Sequence, residues 1–403
     1  MDIHKKFTSK TLMIVGASEW QVPIIKKAKN LGLRVLNSGP YQTSPGFEYS
    51  DVNLIADVLD KDKNLQFALK NRVDGILTDQ TDIAVPTVAY IAERLNLPGI
   101  GIEVAKKFTN KYEMRNLCLN NGFPSPSFHL CKSVGDAFNF MHQKGLPFVL
   151  KPPANQSSRG VIKITHKDQV YSGYQRASSF TMDGTVLIES FIEGPELTIE
   201  GIKTHSKHYC LATSFKKHFV HNPMVASELR YSFGRKDINY KVLYNQHNRL
   251  IELMKLPFGL THAEYKCQDG KFYLIEVAAR GGGTKISSDL VPLISGIDTN
   301  ERLITMALGD HIDDLHFSSK SIEGILYFFN FNSGKIKSIE GVEEIMKMKG
   351  VVDFNLNFKT GDLILPPEDD RSRHGFIIAV ANDNLELENL LNNVKSSLKI
   401  NYE

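Results

Sequence analysis

Cysteine is scarce in this chain of 403 residues. Its four cysteines, Cys118, Cys131, Cys210 and Cys267, form no C-x-x-C pair. That argues against a zinc knuckle or a thioredoxin-type redox pair and suits a reducing cytoplasm. No apolar run approaches the ~18 residues of a membrane-spanning helix. An excess of one charge sign is missing too: 48 basic residues face 45 acidic ones, for a net charge of +3. Such a balance gives no basic footprint for nucleic acid or an anionic membrane. Glycine (29) and proline (16) are too few for collagen-like or low-complexity classes. The length suggests two or three domains, with cores large enough to need no disulfide or metal staple. The first residues, Met1 to Lys10, precede Thr11-Leu-Met-Ile-Val-Gly16. This imitates a signal peptide, but the apolar run is too short and leads into a turn and helix. We read it as a first buried strand.

From 11 to 105, short apolar strands alternate with amphipathic stretches. Thr11–Val15, Leu33–Leu36 and Gly75–Leu77 read as strands. Val22, Ile25, Ala28 and Leu31 recur at helical spacing, as do Val85, Val88, Ala89, Ala92 and Leu95. Alternation of this kind implies a parallel sheet covered on both faces, a Rossmann-like α/β domain. The first turn, Gly16-Ala-Ser18, lacks G-x-G-x-x-G spacing, which argues against nicotinamide or flavin binding. Asn110-Lys-Tyr-Glu113 is a capping box that opens a helix. Phe148–Lys151 and Gly160–Ile164 read as strands, and so do segments near Gly324–Phe329 and Gly375–Val380. A last helix is expected near Leu385–Leu398. The predicted units are 1–105, 106–185, 186–317 and 318–403, the last a small α+β tail.

Chemistry concentrates in a hairpin. Thr261-His-Ala-Glu264-Tyr-Lys-Cys267 and Lys271-Phe-Tyr-Leu-Ile-Glu276-Val277 flank Gln268-Asp-Gly270. A three-residue loop with glycine at its left-handed position pairs Cys267 with Lys271. His262 then meets Glu276, and Glu264 and Glu276 become diagonal neighbours on one face. Two such carboxylates repel unless protonated or bridged by a cation. A two-residue turn would send them to opposite faces, and scattered glutamates on a solvated face fit the same letters. After the second strand, Arg280-Gly-Gly-Gly283 offers a guanidinium and open backbone amides, suited to a phosphoryl group or oxyanion. A plain glycine turn would look alike.

Two further elements are weaker alone. Lys151 ends an apolar strand and precedes Pro152-Pro-Ala-Asn-Gln-Ser157-Ser158-Arg-Gly160, a small polar loop that could cover phosphates. It is not a Walker A loop. Val186-Leu-Ile-Glu189-Ser-Phe191-Ile192-Glu-Gly-Pro-Glu196 runs from a strand into a connector. Such a connector can meet an adenine edge and a ribose, or simply join two strands. Lys216-Lys217-His218 reads as a solvated loop, with some prospect of reaching a ligand phosphate or carboxylate.

Taken in order, Gly16-Ala-Ser, Asn110-Lys111, Val149-Leu-Lys151-Pro152, Glu189 to Glu196, His262-Ala-Glu264 and Glu276 to Gly283 resemble the ATP-grasp superfamily of carboxylate–amine ligases. Within it the chain is similar to bacterial L-amino-acid ligases, with a biotin-carboxylase-like layout. The resemblance covers about 11–310. It implies α/β and α+β architecture with ATP held between two central sheets.

It also implies roles. Lys111 and Lys151 would contact the triphosphate, with Ser157 and Ser158 closing over it. The backbone of Glu189, Phe191 and Ile192 would read adenine, and Glu196 would hold the ribose. Glu264 and Glu276 would bind Mg²⁺, or Mn²⁺ in its place. Arg280 and the Gly283 amide would stabilise an acyl phosphate. Glu228 would face the acceptor, and His262 would stand beside the glutamates. The partners implied are a small carboxylic acid and an amine, with no nucleic acid and no membrane, and a homodimer fits relatives of this layout. Two departures stand out. Ala278 occupies the place where many relatives carry an asparagine metal ligand, and the phosphate loop is poor in glycine. Bicarbonate or nucleotide-pathway ligation, and a non-catalytic ATP-binding protein, are the rival readings.

Overall fold

The computed structural model describes residues 7–155, 158–232, 234–316 and 322–403. The chain opens with β1 (Thr11–Val15), β2 (Arg34–Gly39), β3 (Val52–Ile55) and β4 (Gly75–Leu77), a parallel sheet of order β3-β2-β1-β4. β1 is buried throughout, as an unbroken apolar run in a covered sheet should be. β2 continues past the apolar residues into Asn37-Ser-Gly39. Buried Asn37 is satisfied there, since its amide donates to the Ile14 and Gly16 carbonyls at 2.8 and 2.7 Å. β3 was not foreseen; as an edge strand it alternates half-buried and exposed residues and carries little apolar signal.

A second sheet contains β5 (Phe128–Cys131), β6 (Phe148–Lys151), β7 (Ile162–Ile164) and β8 (Val186–Ser190), antiparallel, in the order β5-β8-β6-β7. The small sheet therefore reaches residue 190, past the expected boundary at 185/186. An apolar run such as Val186–Ile188 reads alike in either sheet, and only its pairing with β5 and β6 assigns it.

The remaining strands are β9 (Glu196–Lys203), β10 (His208–His218), β11 (Ala226–Tyr231), β12 (Gly259–Gln268), β13 (Lys271–Ala278), β14 (Glu323–Phe328), β15 (Gly334–Glu340), β16 (Val351–Leu356), β17 (Leu363–Ile364), β18 (Gly375–Ala381) and β19 (Lys399–Tyr402). Eight form one sheet of order β13-β12-β9-β10-β11-β14-β18-β16, and β17-β15-β19 form a small one. The tail expected as a separate unit from 318 thus extends the large sheet through β14, β18 and β16. Leu12 and Ile14 of β1 share one apolar cluster with Ile202, Leu229, Ile304, Leu326 and Ile378, so the N-terminal sheet and the large sheet have a common core. A cleft of about 750 Å³ lies where the three larger sheets meet.

Candidate active site

The hairpin β12–β13 has a two-residue turn, Asp269-Gly270, with both residues at positive φ (51° and 71°). This geometry matches the right-handed strand twist. Gln268 pairs with Lys271 and Tyr265 with Leu274. The expected three-residue loop is therefore wrong, and an uninterrupted ladder from this turn would put Glu264 and Glu276 on opposite faces. A bulge corrects the phase. The register shifts between Glu264 and Tyr265, so that Glu264 faces Glu276 and His262 faces Ala278. One extra residue, Ile275, restores the carboxylates to a common face. Arg115 holds the bulge by donating from Nη2 to the Ile275 carbonyl at 2.7 Å.

The same arginine belongs to a buried triad. Helix Lys111–Asn120 is capped by the Asn110 side chain, which accepts from the Tyr112 and Glu113 amides. Lys111 and Arg115, one turn apart, lie on its cleft side. Arg115 Nε donates to Glu189 Oε2 at 2.8 Å, and Lys151 at the end of β6 meets Glu189 Oε1. Burial alone would raise the Glu189 carboxyl, but the two cations hold it at about 2. Burial pushes the Lys151 ammonium down to about 8, against the pull of Glu189. Two cations share one carboxylate, leaving a surplus positive charge at the cleft wall.

Across the cleft the balance reverses. Lys111 Nζ meets Glu276 Oε2 at 2.6 Å and the Asn155 carbonyl at 2.9 Å. Lys216 Nζ lies 2.8 Å from both Glu196 and Glu264. Burial opposes its charge, but the two carboxylates prevail and raise its pKa. His218 Nε2 is 3.5 Å from Glu196. The solvated loop expected at Lys216-Lys217-His218 is instead the end of β10. Alternation turns Lys216 and His218 into the cleft and leaves Lys217 exposed. The expectation failed because three consecutive polar residues carry no face information until the strand is known.

Behind the carboxylates, Glu200 Oε1 accepts from Tyr231 Oη at 3.1 Å and pairs with His262 Nδ1 at 2.7 Å. Burial works against a charged His262 ring, yet Glu200 and Glu264 lift it to about 9. Arg280 lies beyond the end of β13. Its guanidinium grips Asp82 of the N-terminal domain twice, at 2.8 Å each. Asp79 accepts from the Gly281 amide at 2.9 Å and from Ser287 Oγ at 2.8 Å. The N-terminal domain thus fixes the glycine segment. A Cβ on Gly281 or Gly282 would overlap Ser287 or Glu200, whereas Gly283 borders open space in the cleft.

The cleft brings together Lys111, Lys151, Ser158, Glu189, Phe191, Ile192, Glu196, His262, Glu264, Glu276, Arg280 and Gly283. Ser157 lies outside the described residues. Glu228 does not line the cleft. It alternates to the other face of β11, bound to Arg230 at 3.0 Å and Lys217 at 3.1 Å, which corrects its expected acceptor role. The Glu189 carboxylate is occupied by its triad. Phe191 N–H donates to Pro147, the Ile192 carbonyl accepts from Lys266, and the Phe191 ring lies between Lys163 and Lys266. Arg115, Asp82 and Glu200 were missed, and Lys216 was singled out only within a stretch read as a solvated loop. Arg115 had a signal, four residues after Lys111 on one helix face. Asp82 had none, being 198 positions from its partner.

No cluster of three or more His, Cys, Asp or Glu among the described residues is arranged as a complete metal site. Two opposed carboxylates nevertheless fit magnesium, a hard ion that takes one or two carboxylates, substrate phosphates and water. Ala278 in the neighbouring ladder position adds no ligand.

Comparison with known proteins agrees with this geometry. A family model for the ATP-grasp domain matches residues 144–289, and one for the L-amino acid ligase C-terminal domain 2 matches 327–403. The chain carries an ATP-grasp domain joined to an L-amino acid ligase C-terminal domain. The crystal structure of L-amino acid ligase from Bacillus licheniformis superposes on this ATP-grasp chain with a TM-score of 0.85 at 22% identity, covering 98% of this chain and 99% of that one. That likeness establishes the fold. The L-arginine-specific L-amino acid ligase of Bacillus subtilis is 22% identical over 335 residues, 81% of this chain and 79% of the relative. An uncharacterized protein of Sinorhizobium fredii, y4rH, is 24% identical over 312 residues, 76% of this chain but only 63% of its own length. No helix among the described residues is long and apolar enough to cross a membrane.

Proposed function

We propose that this ATP-grasp chain is an ATP-dependent carboxylate–amine ligase acting on amino-acid-like substrates. A substrate carboxylate oxygen attacks the γ-phosphorus of ATP, the bond to ADP breaks, and an acyl phosphate forms. An amine then attacks the acyl carbon and expels inorganic phosphate, leaving an amide. The observation that carries this reading is Glu264 directly opposite Glu276 in a cleft that also holds Lys111, Lys151 and Arg280.

Glu264 and Glu276 would hold Mg²⁺, or Mn²⁺ with the same oxygen donors, and a bound ion neutralises charge on the phosphates. Lys151, with its surplus charge, and Lys111, once freed from Glu276, bind the triphosphate. Ser158 closes beside it. Glu196 takes the ribose hydroxyls when Lys216 turns away, and the Phe191–Ile192 connector takes the base. Arg280, locked by Asp82, presents a fixed guanidinium to the acyl phosphate, with the Gly283 amide beside it. The work is positioning and charge stabilisation, as in other phosphoryl transfers. The protein acts in the cytoplasm as a homodimer, on a small acid and a small amine.

Hydroxylamine tests this reading. Purified protein with ATP and Mg²⁺, offered a panel of amino acids, should form a hydroxamate and release ADP with at least one. ADP binding with no hydroxamate on any acid would overturn it.

A further inference from the structure

The walls of the cleft differ in charge. The N-terminal domain lines it with residues 16–21, 40–41 and 80–81, with Val58 and with Ile83. Among these described lining residues only Glu19 is charged. The other walls carry the cations, Lys111, Lys151 and Arg280 among them. Their carboxylates each have a cation within 2.8 Å: Arg115 for Glu189, Lys216 for Glu196 and Glu264, Lys111 for Glu276, and Arg373 for Asp370. The Glu19 carboxylate makes no ion pair and no hydrogen bond among the described residues.

Glu19 is held in place without being neutralised. It sits in the turn after β1. There Ser18 Oγ donates to Gln21 Oε1 at 2.8 Å, and Gln21 Nε2 donates to the Asp79 carbonyl at 2.6 Å and to Thr81 Oγ1 at 3.0 Å. The Glu19 side chain stays open to the cleft. The walls still strip part of its water, which raises its carboxyl pKa, and Lys285 offsets only part of that. Lys285 Nζ is engaged elsewhere, 2.5 Å from Asp353 Oδ2. Trp20, whose ring centroid lies 5.9 Å from that of Phe376, lines the same wall, as does Tyr41. Aromatic faces accept a methylene stem and the cation at its end. Thr81 adjoins Asp82, which grips Arg280. An acid activated beside Arg280 therefore has the N-terminal wall along its flank, and an unmatched carboxylate is what its side chain meets there.

We infer that the acid activated in this cleft carries a basic side chain, an ammonium or a guanidinium, and that Glu19 selects it. This rests on the proposed ligase activity. An α-ammonium group offers Glu19 the same charge, and the assay separates the two sources. A phosphorylated side chain does not suit this wall, which lacks a cation among its described lining residues.

The test uses the full chain and its Glu19→Gln, Glu19→Asp and Glu19→Lys variants, with ATP, Mg²⁺ and hydroxylamine. The acids are L-lysine, L-arginine, L-norleucine and L-glutamate. Wild type should favour lysine or arginine over norleucine by roughly tenfold or more in kcat/KM for hydroxamate formation. Glu19→Gln should bring that ratio to within about twofold of one. Glu19→Asp should keep part of the ratio, and Glu19→Lys should move the preference to glutamate. A ratio unchanged in Glu19→Gln overturns the inference. So does a fall in kcat/KM that is equal for lysine and norleucine, since Glu19 then serves the α-ammonium group common to both. Wild-type preference for norleucine or glutamate also overturns it, with the ligase reading intact. If wild type forms no hydroxamate with any acid, the ligase reading itself fails and takes this inference with it.

Discussion

The two walls of the cleft treat their carboxylates differently. At one wall, the Glu189, Lys151 and Arg115 side chains are only 6%, 4% and 1% exposed, and the carboxylate has two cations. At the other, Glu264 and Glu276 are 17% and 22% exposed, and Lys216 and Lys111 each bridge to one of them. The first is a structural staple with spare positive charge. The second is a pair of ligands held by lysines that can swing to another anion. Ion pairs of similar length therefore do opposite work, and burial with partner number tells them apart.

Removing the staple should have the largest effect. Glu189→Gln leaves two buried cations facing each other and should cost about 3–5 kcal/mol of stability, seen as a lowered urea midpoint. Stability equal to wild type would mean the two walls do not differ. Glu276→Gln should do the reverse, lowering activity by ~10–100-fold or more and raising the Mg²⁺ requirement, with the urea midpoint nearly kept.

The pH responses sharpen the contrast. Lys151, depressed to about 8, should take up a proton when the triphosphate binds, so ATP affinity should fall as pH rises above about 8. Calorimetry in buffers of different ionisation enthalpy would register that uptake. His262 is raised from 6.5 to about 9. Its stabilisation is complete below about pH 6.5 and is lost as pH rises through about 9, at most about 3 kcal/mol. Glu200→Gln should flatten that slope in a urea-midpoint series. The smallest effect belongs to the turn. Gly270→Ala forces a side chain into the left-handed region and should cost about 1 kcal/mol without changing Mg²⁺ dependence.

Much of this was legible beforehand. β1, β4, β6 and the helix cap at Asn110 follow from local patterns, as do the tail strands, because apolar runs and capping residues act over a few positions. The hairpin strands were legible, yet their register was not. Both the turn length and the bulge were misjudged, and the errors cancelled at Glu264 and Glu276. A bulge held by Arg115 from another helix leaves no trace in the strand's own letters.

Order of elements, strand identity and the inventory of charged side chains belong to the sequence, since each depends on neighbours within a turn or a ladder step. Which carboxylate became a staple and which a ligand was decided only by tertiary structure. Glu189, Glu264 and Glu276 are the same residue type at strand positions of similar pattern. What separates them is how many distant cations the fold delivers to each, from the helix at 111–120, from β6 and from β10. Desolvation and charge pairing act through space, where distance along the chain has no bearing.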